Sequence, residues 1–600
     1  MKQKGVLAIG VAVSMSLPVS GAAAGGMPPY VEQRPAGALS GKIVYLNAGH
    51  GWTAANQSGG AWTTQRGETF EIVEDLLNGD FHVFQAESLW NAGATIVPLR
   101  PIGDQIREVV LDNDDPGVTF EGPWSDSSSP VYFGSAGDLP YRFAAVSETE
   151  TARAIYRPEL PEAGLYPVYT WVLGDTNRAD QLYRVEHAGG VTEVRVDHRR
   201  VGGGLVYLGT FRFEAGDAGS VTISNQVEEV DAGAFGSSGV VIADMIRFGN
   251  GMGDIDRGGG VSGYPRADEA SLYWIETHAG QGVPSSAWRT SSNDGSSTVG
   301  TPPRWAARMN LAGAGEPEDR VFLSLHSNAA NTVARGVIAR YNGNNNPASA
   351  TPNQFLLADI LASRINIDLP AQDAEFEHPW GVRSVVTLDR SDFEFGEISN
   401  FQLNGEMDAT IVERAFHDNQ QDAELLRDAV VNRAMADATT RGLIEYFGIV
   451  DGGETIQTVP PAQVTHASAV PYGATGVRLD WCTAGSSVWK PDPADRVVVQ
   501  HSFDGAGFID LITVPAAGPA ELDTDALGLT SSEQSGNVQF FRLVAENDGG
   551  RSVSSTVLAV TPGGPADVLI VDGFDREDRF LNTREFVGFG TIDRVRPERQ

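Results

Sequence analysis

Three apolar runs, "KIVYLNAGHG" at 42–51, "RVFLSLH" at 320–326 and "ATIVE" at 409–413, each read as a strand that delivers an ionisable residue at its end: His50, His326 and Glu413. Strands that place chemistry at their carboxyl ends constrain the fold strongly, because in open α/β sheets that edge is where ligands bind. The runs are far apart in sequence. A chain that brings them together must therefore tolerate a long interruption.

The segments between them show what the interruption is. Residues 38–112 read as strand, loop, helix, strand: the first run is followed by "EIVEDLLNGDFHVFQAESLWNAG", apolar at helical spacing, and by "ATIVPLRP". From 113 to 252 the pattern becomes short period-two segments separated by Gly, Asp and Pro, such as "AGLYPVYTWVLG" and "GLVYLGTFRFEAG", which predicts a β-sandwich. Residues 253–302 are rich in Gly and Ser and read as a connection made largely of loop. The α/β character returns over 303–450, with helices expected near "PNQFLLADILASRIN" and over "DAELLRDAVVNRAMADATTRGLIEYFG". The expected fold is thus an α/β domain, a mixed sheet flanked by helices, interrupted by a β-sandwich. Residues 463–562 alternate again and predict a second sandwich, and 563–600, opening "ADVLIVDGFDRED", look like the start of a further α/β unit or a tail.

Composition narrows the setting. The single cysteine, Cys482, excludes an intramolecular disulfide framework and reads as a small buried hydrophobe beside Trp481. A formal charge of −35 argues against nucleic acid or an anionic membrane surface as partner. Two lysines, an apolar stretch from Val6 to Val19 and small residues at Ala22–Ala24 form the pattern of a cleaved secretory signal over residues 1–24. The expectation is a secreted or periplasmic, cell-envelope-associated protein with no membrane anchor after cleavage.

Glu74 lies early in the first helix, near the same sheet edge as His50 and His326. Two imidazoles and a carboxylate make a zinc site with a position left for water, whereas structural zinc sites are closed by four protein ligands, usually cysteines. Glu413 then remains as a general base. Each residue alone also has an ordinary reading: His50 and His326 as histidines at the core edge, Glu74 as a carboxylate favourably placed at a helix start. Glu413 is harder to explain that way, since an unpaired charge at the end of an apolar strand is costly.

Taken in order, "IVYLNAGHG", "EDLL", "AGATIVPLR", "VFLSLHSNAA" with "ARGV", and "ATIVERAFHDNQQDAELLRD" resemble the motifs of zinc-dependent N-acetylmuramoyl-L-alanine amidases of the amidase-3 type. The resemblance implies Zn2+ bound by His50, Glu74 and His326, Glu413 as the catalytic carboxylate, and peptidoglycan as substrate. Among Glu68, Glu71 and Glu74, the resemblance favours Glu74, which keeps the family's distance between its ligand glutamate and "AGATIVPLR". Asn47 stands where an aspartate is common, a departure expected to be harmless, and Arg414 and Ala415 stand where small residues are usual and are expected to alter the pocket wall.

Residues 140–249 resemble the golvesin-type sandwich, which implies a glycan or cell-wall polymer as a further partner. Tyr169, Trp171, Tyr183 and Tyr207 are candidates for a sugar-stacking face, against the commoner core role of aromatics in alternating strands. His187 and His198 are expected on that module's surface. Residues 463–562 are similar to a fibronectin type III domain, a spacer. His417 and Asp418 are expected in the loop after the Glu413 strand. Two other readings remain: a non-catalytic cell-wall-binding or adhesion protein, and a zinc peptidase or amidase of another substrate.

Overall fold

The computed structural model describes residues 30–54, 60–228, 239–311, 315–473, 475–483, 491–523, 537–562 and 578–596. The expected signal segment, and the "ADVLIVDGF" stretch expected to open a further α/β unit, lie outside these residues. No helix among the described residues is long and apolar enough to cross a membrane.

All three apolar runs are strands of one sheet. In chain order the α/β body comprises β1 (Ile43–Asn47), α1 (Glu74–Asn91), β2 (Thr95–Pro98), α2 (Ser271–Glu276), α3 (Asp294–Met309), β3 (Arg320–Asn328), β4 (Ile338–Arg340), α4 (Gln354–Asp368), β5 (Thr387–Leu388), β6 (Asp408–Phe416) and α5 (Ala429–Val450). The sheet order is β5-β4-β6-β3-β1-β2. The four strands β6, β3, β1 and β2 are parallel, and β4 runs antiparallel to β6. This is the mixed sheet that was expected.

Both faces of the sheet are buried, by different partners. Val44, Leu46, Val321, Leu323 and Val412 pack against α1, α4 and α5 through residues such as Phe81, Leu361 and Met435. On the other face, Ile43, Tyr45, Phe322 and Ala409 join one core with α2, α3 and the inserted sandwich. The sandwich strand Leu205–Phe213 packs directly on β2. Hydrogen bonds stitch the junction: Ile102 N–H donates to the Tyr169 hydroxyl (3.1 Å), Trp171 Nε1 to the His278 carbonyl (2.9 Å), and Asn250 Nδ2 to the Ile102 and Gly103 carbonyls (2.9 and 2.8 Å).

Several sequence expectations are corrected here. The 253–302 connection is loop over most of its length, as expected, but it also carries α2 and the first half of α3, which the sequence did not mark. That helix is capped by Asn293, whose side chain accepts from Ser296 N–H, and it persists through Pro302 and Pro303 because Trp305 and Met309 are fully buried. The sandwich starts before residue 113, with the strand Glu108–Asp112, and borrows Val31–Gln33 as a parallel edge beside Gly190–Asp197.

The four aromatic residues do not form a sugar-stacking face. Tyr169, Trp171 and Tyr183 are fully buried and Tyr207 is 7% exposed, so they belong to the sandwich core and its junction with the α/β body. His198 is not on the surface either: it is buried, hydrogen-bonded to the Tyr183 hydroxyl (2.7 Å) and the Val201 carbonyl (3.1 Å). His187 is half-buried, stacked on Phe211. Cys482, expected inside, is exposed; strand alternation that points Trp481 inward turns its neighbour outward.

The second sandwich packs three strands (465–472, 476–482, 520–522) against a sheet built on Arg496–Ser502 and Gln539–Asn547. It touches both neighbours, through Ala38 N–H to the Gly549 carbonyl (3.0 Å) and Asp510 N–H to Glu32 (2.9 Å). The described part of the tail is a hairpin, Thr583–Phe586 with Thr591–Arg594, not an α/β unit. It is fastened to the α/β body by Arg594, which is buried between Asp80 and Asp268 (2.8 and 2.7 Å).

Candidate active site

Strand register brings the polar residues together. His326 of β3 sits directly beside Glu413 of β6, and β1 ends one strand away at Asn47, opposite Ser324. The chain then turns at Gly49, whose φ of +59° suits glycine. A Cβ at Gly49 would lie 2.9 Å from the His326 ring, so glycine is also required by the close approach of β1's loop to that imidazole. His50 follows at once, its ring 4.7 Å from that of His326. This is why a buried strand opens into glycine at that point.

Glu74 is the first residue of α1, and the turn that aims it has positive φ at Phe70 (50°) and Glu71 (62°). The turn separates the three nearby glutamates. Glu68 accepts from Glu71 N–H, and Glu71 faces outward to Arg427 and Arg584. Glu74 alone points inward, with Oε1 3.2 Å from His326 Nδ1 and 4.0 Å from His50 Nε2. One donor atom from each of His50, Glu74 and His326 lies within 4.8 Å of the others.

The electrostatics suit a cation. Burial holds His50 neutral, lowering it to about 4, the state in which an imidazole ligates. Burial works against a charge on His326, but Glu397 and Glu74 raise it well above its ordinary value, so the donor set calls for positive charge at this point. The site therefore fits a metal by its chemistry. Glu413 is pushed up by burial, opposed by Arg340, whose Nε donates to its Oε1 (3.1 Å).

Sequence reasoning missed three neighbours. Arg340 contacts Glu413, and Arg66 Nε lies 3.3 Å from Glu74 Oε2. Glu397 is 7% exposed and lies 3.1 Å from His326 Nε2. It sits in "SDFEFGEISN", where the brief alternation of Phe393 and Phe395 breaks at Gly396 and does not mark the glutamate that follows as buried. His417 and Asp418 do follow the Glu413 strand: His417 pairs with Ser327, and Asp418 accepts from Ala330 and Thr332 N–H, closing the loop after β3. Arg414, expected to alter the pocket wall, points away from it. It lies against Phe81 and donates to Asn78 and Asn432, bracing α1 and α5 beneath Glu74.

Residues 289–445 match the family of N-acetylmuramoyl-L-alanine amidases. This part of the chain is similar to an amidase domain of that type. The match begins before residue 303 and takes in α3, which packs on the sheet; His50 and Glu74 lie upstream of the matched residues, after β1 and at the start of α1. Residues 109–250 match the golvesin C-terminal domain. A xanthan lyase of Bacillus sp. (strain GL1) is 36% identical over 154 residues, which are 25% of this chain and 16% of that protein. The chain thus spans about a sixth of that relative. Among solved structures, the CwlD amidase of Clostridioides difficile in complex with the GerS lipoprotein is 17% identical, with 22% of this chain and 55% of that chain covered (TM-score 0.16). An Fn3-like protein of Clostridium thermocellum is 18% identical, with 18% and 97% covered (TM-score 0.14).

Proposed function

We propose that the protein is a zinc-dependent hydrolase of peptidoglycan that cleaves the amide between the lactyl group of N-acetylmuramic acid and L-alanine. The observation that carries this reading is the convergence of His50, Glu74 and His326 at one sheet edge with Glu413 beside them, inside an amidase-type domain. His50, Glu74 and His326 would hold the metal. Zinc bound there supplies Lewis acidity toward the scissile carbonyl and toward water.

The chain's own residues do the proton work. Glu413, raised by burial, takes a proton from the attacking water and returns it to the departing L-alanine nitrogen. Arg340 holds the Glu413 carboxylate in place by its hydrogen bond. No side-chain nucleophile is required, and the Arg340 hydrogen bond goes to Oε1 of Glu413, leaving Oε2 as the oxygen for that transfer. The protein acts in the cell envelope, as the amino-terminal pattern predicts. For the golvesin-type sandwich we propose retention of cell-wall polymer on surfaces other than its buried aromatics.

Zinc content and zinc-dependent release of dyed fragments from purified peptidoglycan test the reading together. Activity should vanish on chelation and return with Zn2+. Bound zinc with no release from any peptidoglycan would favour a zinc peptidase or amidase of other substrate. Absence of both zinc and release, with retention on the polymer, would favour a binding protein.

A further inference from the structure

His326 is held from both sides. Its Nδ1 faces Glu74 Oε1 at 3.2 Å, and its Nε2 faces Glu397 at 3.1 and 3.3 Å. The two nitrogens of an imidazole diverge, so a single metal ion takes only one of them. Glu397, on the short turn Gly396–Ile398, is itself fixed by Asn47 Nδ2, which donates to its Oε1 (2.6 Å), and by the Ser324 hydroxyl. Asn47 is oriented in turn, because its Oδ1 accepts from Ser271 of α2.

We infer that Glu397 is a positioning residue for His326: its carboxylate accepts a hydrogen bond from Nε2–H, which keeps the proton on Nε2 and presents Nδ1, on the Glu74 side, as the ligating atom. A carboxylate behind a metal-bound imidazole fixes the tautomer and ring orientation and strengthens the ligand. The same arrangement accounts for Asn47. An aspartate there would set two buried carboxylates at hydrogen-bond distance, whereas the asparagine amide offers Glu397 a donor. The departure at 47 and the glutamate at 397 are two halves of one device, joined across α2, β1 and β3. This inference rests on the metal reading of the site.

The test is zinc affinity, measured by competition with a chromophoric chelator, together with the visible spectrum of the Co2+-substituted protein. Wild type should bind one zinc. Glu397→Gln and Asn47→Asp should each weaken binding by about 10- to 100-fold and shift the cobalt bands, with both apoproteins still folding cooperatively and Asn47→Asp melting lower because it sets two buried carboxylates together. Selective 15N-histidine labelling of zinc-loaded wild type gives a reading that needs no variant: His326 should carry its proton on Nε2. Unchanged affinity and spectrum in Glu397→Gln, or a proton on Nδ1, overturns the inference while leaving the site reading intact. Loss of zinc in Glu397→Gln with retention in Glu74→Ala overturns it differently, making Glu397 the ligand. Failure of wild type to bind zinc removes both the inference and the reading beneath it.

Discussion

Glu74 and Glu413 flank the same imidazole but do different work, and substitution separates them. Glu74→Ala removes one of three converging donors, so zinc content and hydrolysis should fall together. Glu413→Gln keeps shape and a hydrogen-bond acceptor for Arg340 but removes basicity; zinc should stay while turnover drops about 100-fold to 10,000-fold, the range for losing a general base. Metal analysis alongside rates on peptidoglycan checks both. Zinc lost from Glu413→Gln and kept in Glu74→Ala would mean the two roles are exchanged. His50, His326 and Glu413 were legible in the sequence because each interrupts or ends an apolar run. Glu74 was legible from its place at the helix start, but its choice over Glu68 and Glu71 came only through the resemblance, and what separates the three is a positive-φ turn at Phe70 and Glu71 that no residue type there announces. Glu397 was hidden because it reaches His326 from a loop.

At the scale of elements, the most deeply buried ion pairing between the tail hairpin and the α/β body is that of Arg594, alongside the more exposed pairs of Arg584 and Arg596. Arg594 is buried between Asp80 and Asp268, and Arg594→Met would leave two buried carboxylates without it, at a cost of about 3–5 kcal/mol near neutral pH. The pH dependence follows from Asp268. Burial pushes its carboxyl up, but Arg594 overcomes this and holds it below the ordinary range. A carboxylate lowered in the folded state contributes stability above its unfolded value of about 3.9, and loses it as pH falls through the folded one. The melting-temperature gap between wild type and Arg594→Met should therefore be full at pH 7 and shrink on acidification below about pH 4. A gap independent of pH would contradict the assignment. The strands of the sheet were readable as elements; α3 was not, because its Gly, Ser and Pro content signals loop, and its helix is secured by burial of Trp305 and Met309 instead.

Across the whole molecule, the inserted sandwich shares one core with a face of the α/β sheet. Sequence pattern predicted the interruption but not that the sandwich would cover one face of the sheet, since periodicity marks which residues are buried and not by what. Replacing 113–250 by a short linker should expose the face carrying Tyr45 and Phe322, with loss of near-ultraviolet circular dichroism and gain of hydrophobic dye binding. A native-like excised protein would show that the packed interface is dispensable. The central claim concerns which bond is broken, and digestion of purified peptidoglycan in 18O-labelled water reads it most directly. The account predicts stem peptides with a new L-alanine amino terminus and a single 18O in the muramic lactyl carboxylate. Label at a sugar anomeric centre, or in a peptide carboxylate with the lactyl amide intact, would contradict it.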